Sequence, residues 1–345
     1  LRCRRVQYRF CRGPPGPRSP LLGGHEPHRG SGLVSKAWPR RGPGRNGCLV
    51  PRQPRLVGQG RVKFLVTGAA GQLGRALVRA ATSADVVGLA RSDLDVTDRE
   101  AVREAVAGLR PDVIVNCAAW TDVDGCELDP QRAHLVNADA VGFLVDACDE
   151  VGTHLVHVST DYVFNGEASE PYPENHSTDP VNAYGVSKLA GEVAAGPTAT
   201  VVRSTWLQPG DLPGMVGRVL DSLAAGTPIQ VMDDRRACPT FVADLAPVLL
   251  RLGSERVAGV VHATNAGVTS WYGFAREVAV AAGHDPDSEL LVPISEANLG
   301  SSRPARRPAY SALDNSVLCD MGWEPMRHHR DAIAAAVADL TGTGA

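Results

Sequence analysis

The chain has 345 residues, 43% hydrophobic and 21% charged, and its formal net charge of -3 hides a split: fourteen Lys and Arg and a single acid, Glu26, precede Val62, leaving 21 basic and 37 acidic side chains in the other 284 residues. An acidic body of that size can bury a full core and argues against a general nucleic-acid surface. No apolar run approaches a membrane span, and the eight cysteines show no CxxC, zinc spacing or disulfide framework, which suits a reducing cytoplasm.

Residues 1–61, with GPPGPRSP, RRGPGRNG and PRQPR, are rich in Arg, Gly and Pro and carry no sustained period. Such a segment buries too little to offset its ordering entropy, so we expect a disordered basic tail. A targeting arm would also be Arg-rich and acid-poor, but the tail lacks the alternating pattern of a transit helix. With no initiator Met and Val62 directly before the first strand, we read it as translated upstream sequence.

The organised chain opens with KFLVTG, a short β-rich run, followed by GAAGQLG and by a stretch that sets Leu73, Leu77 and Ala80 on one helical stripe. Gly68, Gly71 and Gly74 form GxxGxxG between strand and helix, where absent side chains let backbone approach a pyrophosphate at the helix N-terminus. Glycine turns also join strands to helices without any ligand, but the flanking order here favours a dinucleotide. DVVGLA then reads as a strand, DREAVREAVAGL as a helix, PDVIVNCAA as a buried strand, PQRAHLVNADAVGFLVDACDEVG as one long helix, and THLVHVST as another buried strand. This alternation predicts an α/β fold, a Rossmann-type doubly wound parallel sheet, with ligands outside the carboxyl ends of its strands.

At the end of the second strand Ala90 and Arg91 stand where an NAD site usually has an acid. Arg91 facing a 2′-phosphate favours NADPH, with NADH possible; the alternative is a solvated surface arginine beside Asp93 and Asp95. Further on, Tyr184 and Lys188 in YGVSK are four apart on a predicted helix and share a face. A phenol with a pKa of about 10 needs electrostatic help to exchange protons near neutrality, and a lysine ammonium can lower it. Ser159 and Thr160, at a strand's carboxyl end, offer hydroxyls to a carbonyl oxygen. YxxxK alone is equally an amphipathic helix face; its order after GxxGxxG and Ser-Thr gives it a use.

The series GxxGxxG, NxAA, Ser-Thr, YxxxK resembles the extended short-chain dehydrogenase/reductases. The finer motifs GAAGQLG, LDVTD, VNCAAWTDVDGCE, HVSTDYVFNG, AYGVSKLAGE and VVRSTW are similar to the dTDP-4-dehydrorhamnose reductase branch, over Lys63 to Asp339. That resemblance implies Gly71, Gln72 and Leu73 on the cofactor pyrophosphate, Asp95 and Val96 near its adenine, and Ala118, Ala119 and Trp120 along the nicotinamide side. It implies Thr160 on the sugar carbonyl, Asp161 on the sugar hydroxyls and Trp206 on the sugar face. Tyr184 would deliver the proton, and Lys188 would hold the nicotinamide ribose and lower the tyrosine pKa. The implied partner is a small-molecule nucleotide sugar, for a monomer or homodimer with no nucleic-acid or membrane role; a metal requirement stays unassigned.

Bland readings stand beside these: a core tryptophan for Trp206, a loop cap for Asp161, and strand packing for His157, which we adopt. Two segments depart from the branch. LQPGDLPGMVGRVL follows RSTW in place of an aromatic and a Gly-Asn-Phe segment, and MDDRRACPT has Arg235 and Ala237 where Gln and Gly are usual. The alternatives are a reductase, dehydratase or epimerase for another nucleotide sugar, or a non-catalytic subunit resembling the methionine adenosyltransferase partner. A dehydratase needs a further acid beside Thr-Asp, where this chain has Tyr162.

We divide the chain into the tail at 1–61, a dinucleotide-binding Rossmann domain at 62–206 and a mainly substrate-binding lobe at 207–345, with a segment near 240–265 returning to the sheet. FVADLAPVLLRLG and GVVHATN are that segment's helix and strand. SWYGFAREVAVAAG and DAIAAAVADL are helices of the lobe, and Arg303, Arg306 and Arg307 read as a solvated loop.

Overall fold

The computed structural model describes residues 61–342 apart from Ser83, 210–213 and 300–302. The reading of the first 61 residues as a tail therefore falls almost wholly outside the described residues. Six strands form the central sheet: β1 (Lys63–Thr67), β2 (Asp85–Leu89), β3 (Val113–Asn116), β4 (His154–Thr160), β5 (Thr200–Ser204) and β6 (Gly259–His262). Their order is β6-β5-β4-β3-β1-β2, and every neighbouring pair is parallel.

The inner strands are continuous apolar runs because helices cover both faces. Alternation along β1 divides the core. Phe64 and Val66 join Val113, Val115, Val156 and Val202 on one face. Leu65 joins Ile114, Leu155 and Val201 on the other. The first face packs on α1 (Gln72–Ala80) and on a helix in the returning segment, through its Leu245, Leu249 and Leu252. The second face receives Val102 and Val106 of α2 (Arg99–Leu109), whose N-cap Asp98 accepts from the Glu100 and Ala101 N–H groups.

The expected long helix before β4 is interrupted. α3 (Val123–Leu128), which the sequence reading did not separate, precedes α4 (Pro130–His134). A π-helical turn, Leu135–Asp139, then leads into α5 (Ala140–Val151), which buries Val141 and Leu144 on the second face. After β4 comes α6 (Ala183–Ala195), capped by Asn182, which accepts from Gly185 N at 2.8 Å. Beyond β5 the chain leaves the sheet for α7 (Gly214–Ala225), returns through α8 (Val242–Ser254) to β6, leaves again for α9 (Trp271–Ala281), comes back against β6 with α10 (Ser316–Asp320), whose Leu318 joins the first face, and ends in α11 (His329–Thr341). A separate cluster joins α7, α9 and α11 through Val219, Phe274, Val278 and Ile333, beside a parallel pair of short strands, Ile229–Met232 and Leu291–Ile294.

β1 has β2 on one side and β3 on the other, which places the topological switch point at the carboxyl ends of β1 and β3. Two cavities open there.

Candidate active site

The turn after β1 fits a backbone-cradled anion. Gly68 has φ of +66°, and a Cβ there would lie 2.8 Å from Ala118 N, so only glycine lets the turns after β1 and β3 meet. A Cβ on Gly74 would overlap the Gly68 carbonyl oxygen. The N-cap of α1 is Gly71, with no side-chain cap and no acid in the first turn, so the helix N-terminus keeps its donors and its partial positive charge for a ligand. Gly68 and Gly71 border a cavity of about 260 Å³ that is lined by Arg91, Asp95 and Val96 after β2 and by Ala118, Ala119 and Trp120 after β3. Asp95 accepts from Thr97 N and Thr97 Oγ1 at 3.0 and 2.7 Å; these bonds, with Arg91 as a lesser contributor, hold its carboxyl below the ordinary value.

Trp120 is fixed by Asn137, which no sequence motif singled out. Its Oδ1 accepts from Trp120 N at 2.8 Å, while its Nδ2 donates to Trp120 O at 3.0 Å and to Ser187 Oγ at 2.9 Å. Asn137 sits in the π turn, so that irregularity joins the nucleotide-side loop to α6.

A second cavity of about 550 Å³ shares Gly68, Gly71 and Ala119 with the first. It collects the remaining expected residues: Gln72, Leu73 and Gly74 from α1, Thr160 and Asp161 from the end of β4, Tyr184 and Lys188 from α6, and Trp206 from beyond β5. Tyr184 and Thr160 thus line the same space. Burial pushes the phenol above its ordinary value, the Thr160 hydroxyl opposes this, and the nearby Asp161 carboxyl and Tyr162 phenol add to the rise. Tyr162 packs edge-on to Tyr184, with ring centroids 5.6 Å apart.

The resemblance implied a tyrosine pKa lowered by Lys188; in this arrangement burial outweighs any such pull, and the phenol sits above its ordinary value. Lys188 is 2% exposed, and its Nζ donates to Val158 O at 2.7 Å and lies 3.4 Å from His157 Nε2. Burial brings the Lys188 amine down to about 8, with Glu192 and Cys117 opposing. His157, held at 3.1 Å from Asn116 Nδ2, is pushed well down by burial and then by Lys188, so it is a neutral ring. Its packing role thus includes contact with the site lysine.

Asp161 lines the same cavity, yet its carboxylate is taken up by protein hydroxyls. Thr160 Oγ1 donates to Oδ1 at 2.9 Å and Thr205 Oγ1 to Oδ2 at 2.8 Å, with the Ser311 hydroxyl nearby. Burial raises this carboxyl to about 6 against the pull of those hydroxyls.

Trp206 has φ of +44°, a conformation rare for a bulky residue, and its carbonyl is held by Gln208 Nε2 at 3.0 Å and Thr240 N at 3.2 Å. Its indole stacks on Trp271 of α9, centroids 4.0 Å apart and 16° from parallel. Trp271 in turn lines a third cavity, of about 750 Å³, which shares Gln72 and Leu207 with the second and carries Arg218, Arg235 and Arg303. The loop arginines thus have three settings, and the solvated-loop reading describes the exposed Arg303 and Arg306 but not Arg307. Arg303 faces this cavity, and Arg306 is exposed, 4.0 Å from Glu167. Arg307 pairs with Asp124 of α3 through bonds of 2.7 and 2.6 Å. Among the described residues, no group of three or more His, Cys, Asp or Glu is placed to hold a metal ion.

Comparison with known proteins places this geometry. A family model described as the RmlD substrate binding domain matches residues 62–341. The chain is 42% identical over 293 residues to a dTDP-4-dehydrorhamnose reductase of Streptomyces griseus, covering 82% of this chain and 95% of the relative. It is 43% identical over 286 residues to a probable dTDP-4,6-dihydroxy-2-methyloxan-3-one 4-ketoreductase of Streptomyces antibioticus, covering 81% and 96%. A dTDP-4-dehydrorhamnose reductase of Bacillus anthracis, solved in complex with NADP, superposes with a TM-score of 0.76 at 30% identity, covering 81% of this chain and all of that one.

Proposed function

The chain belongs to the dTDP-4-dehydrorhamnose reductase family, and from that membership and the site we infer that it is an NADPH-dependent oxidoreductase that reduces the 4-keto group of dTDP-4-dehydro-L-rhamnose to give dTDP-L-rhamnose. The observation that carries the reading is one cavity bordered both by the glycine turn of a dinucleotide cradle and by Thr160, Tyr184 and Lys188.

The cradle of Gly68, Gly71, Gln72, Leu73 and Gly74 suits the pyrophosphate, Arg91, Asp95 and Val96 the adenosine end, and Ala118, Ala119 and Trp120 the approach to the nicotinamide. When bound, the reduced nicotinamide supplies the hydride. Tyr184 supplies the proton: its raised pKa keeps it protonated at neutral pH, the form needed to discharge an alkoxide growing on the sugar oxygen. Thr160 orients that oxygen. Asp161, which lines the same cavity, accepts from the Thr160 hydroxyl and so holds it in place beside the sugar contact that the resemblance implied for Asp161 itself. Lys188 holds the nicotinamide ribose. The stacked Trp206 and Trp271 present an apolar face to the sugar, and the arginines of the third cavity suit its diphosphate. No helix among the described residues is long and apolar enough to cross a membrane, and we place the enzyme in the cytoplasm, with a nucleotide sugar as its small-molecule partner.

The test is NADPH oxidation with dTDP-4-dehydro-L-rhamnose against a panel of other dTDP- and UDP-linked keto sugars. Selective turnover of the first supports the assignment. A second reading, reduction of a different dTDP-linked keto sugar, is favoured by the Streptomyces antibioticus relative and by Arg235 beside the third cavity. A preference for another panel member would establish it, and silence with every sugar would leave a non-catalytic subunit.

A further inference from the structure

Tyr184, Lys188 and Glu192 recur every four residues along α6 and so form one stripe facing β4. β4 answers with consecutive groups. His157 Nε2 and Val158 O meet Lys188, Ser159 Oγ donates to Glu192 Oε1 at 2.6 Å, and Thr160 meets Tyr184. Glu192 is 9% exposed, and Arg203 of β5, 4% exposed, grips its carboxylate with two bonds of 2.8 and 2.6 Å. Ser159 and Arg203 are register partners across β4 and β5, so the carboxylate closes a triangle between two strands and the helix. Arg203 is itself fixed over the Phe164 ring at 5.1 Å.

A buried ion pair is weak evidence for stability, because desolvation offsets its attraction. Its position here points to another role. The charged and titratable groups around Lys188 are His157 from β4, Cys117 from beyond β3, and Tyr184 and Glu192 one turn to either side on α6 itself, with Arg203 of β5 bonded behind Glu192. Among them Glu192 is the carboxylate, since His157 is neutral and burial pushes the Cys117 thiol up to about 12 and the Tyr184 phenol above its ordinary value. We propose that Glu192, locked by Arg203, is a positioning residue that holds Lys188 as an ammonium and pins the catalytic end of β4 to α6. The proposal rests on the reading of Lys188 as the cofactor-holding residue, but its test does not.

The chain has three lysines, Lys36, Lys63 and Lys188, so the Lys188 titration can be followed by NMR of ¹³Cε-labelled lysine in the cofactor-free protein, with Lys188→Met to assign the signal. Glu192→Gln should move the Lys188 midpoint to lower pH by about one unit or more, a tenfold change in the protonated fraction, because removing the anion disfavours the ammonium. Glu192→Asp, which keeps the charge, should restore most of it. Should Glu192→Gln leave Arg203 unpaired and fail to fold, the double variant Glu192→Gln/Arg203→Gln should still lower the midpoint, by less, because the more distant cation is lost together with the anion. A Lys188 midpoint identical in wild type and in the folded variant would overturn the proposal. If instead the midpoint shifts but Lys188→Met binds NADPH as tightly as wild type, Glu192 still controls Lys188, and the cofactor-holding reading of Lys188 fails on its own.

Discussion

Tyr184 and Arg91 carry the sharpest expectations for single residues. Tyr184→Phe keeps ring and packing and removes the phenol proposed to deliver the proton beside Thr160, so turnover should fall at least about a hundredfold while NADPH affinity holds. A variant turning over near the wild-type rate would take Tyr184 out of the mechanism. Arg91 lines the nucleotide cavity but is exposed, so its contact with a 2′-phosphate is screened by salt. NADPH should be preferred about tenfold in kcat/KM, and Arg91→Ala should erase that preference with NADH use unchanged. A preference surviving the substitution would make Arg91 an ordinary surface residue. At this scale the sequence was legible where chemistry is local: GxxGxxG, Ser-Thr and YxxxK are short patterns with a ligand to explain them. Asn137, Arg203 and Trp271 were not, because each gains its partner only through tertiary contact, Asn137 with Ser187 fifty positions away. Glu192 had a signal, the third place in a four-residue stripe, that went unread.

Among the elements, α1 depends most on its approach to the turn. Gly74→Ala would drive a methyl into the Gly68 carbonyl, and overpacking of this kind costs on the order of 1–3 kcal/mol. Because the displaced carbonyl belongs to the dinucleotide cradle, NADPH affinity should drop together with melting temperature. A variant that loses stability and keeps its affinity would show that the cradle adjusts independently of the helix. Strand and helix types follow from periodicity, and α6, α8, α9 and α11 lie where the pattern puts them. The π turn had no such signal. LVNAD contains neither Pro nor Gly and reads as ordinary helix, and the irregularity coincides with Asn137 bonding Trp120 and Ser187 at once, contacts invisible in the local sequence.

For the molecule as a whole, buried titratable groups set the response to acid. Burial pushes His154 to about 4 and His262 to about 3, and depresses His157 as well, whereas an unfolded histidine titrates near about 6.5. Below that value the unfolded chain takes up protons that the folded chain refuses, so the stabilisation present above pH 6.5 is lost as pH falls. Asp161 acts with the opposite sign, since its raised pKa of about 6 lets the folded state keep a proton that the unfolded state gives up. Three histidines outweigh one aspartate, and melting temperature should decline steadily from about pH 6.5 to 4; a flat profile would mean that these rings are hydrated. The parallel sheet and the return of a late segment to it were legible, because alternating strands and helices at this spacing allow few other topologies. That return has a consequence for biosynthesis. Until residues 242–262 leave the ribosome, β5 is an open sheet edge, and Phe64, Val113 and Val156 lack the cover that α8 provides. The nucleotide-binding half should therefore be unable to mature ahead of the rest: expressed alone, a fragment spanning 62–206 should accumulate as aggregate, while one extended through residue 262 regains soluble yield. A soluble, cooperatively melting 62–206 fragment would show that the edge strand and α8 are dispensable.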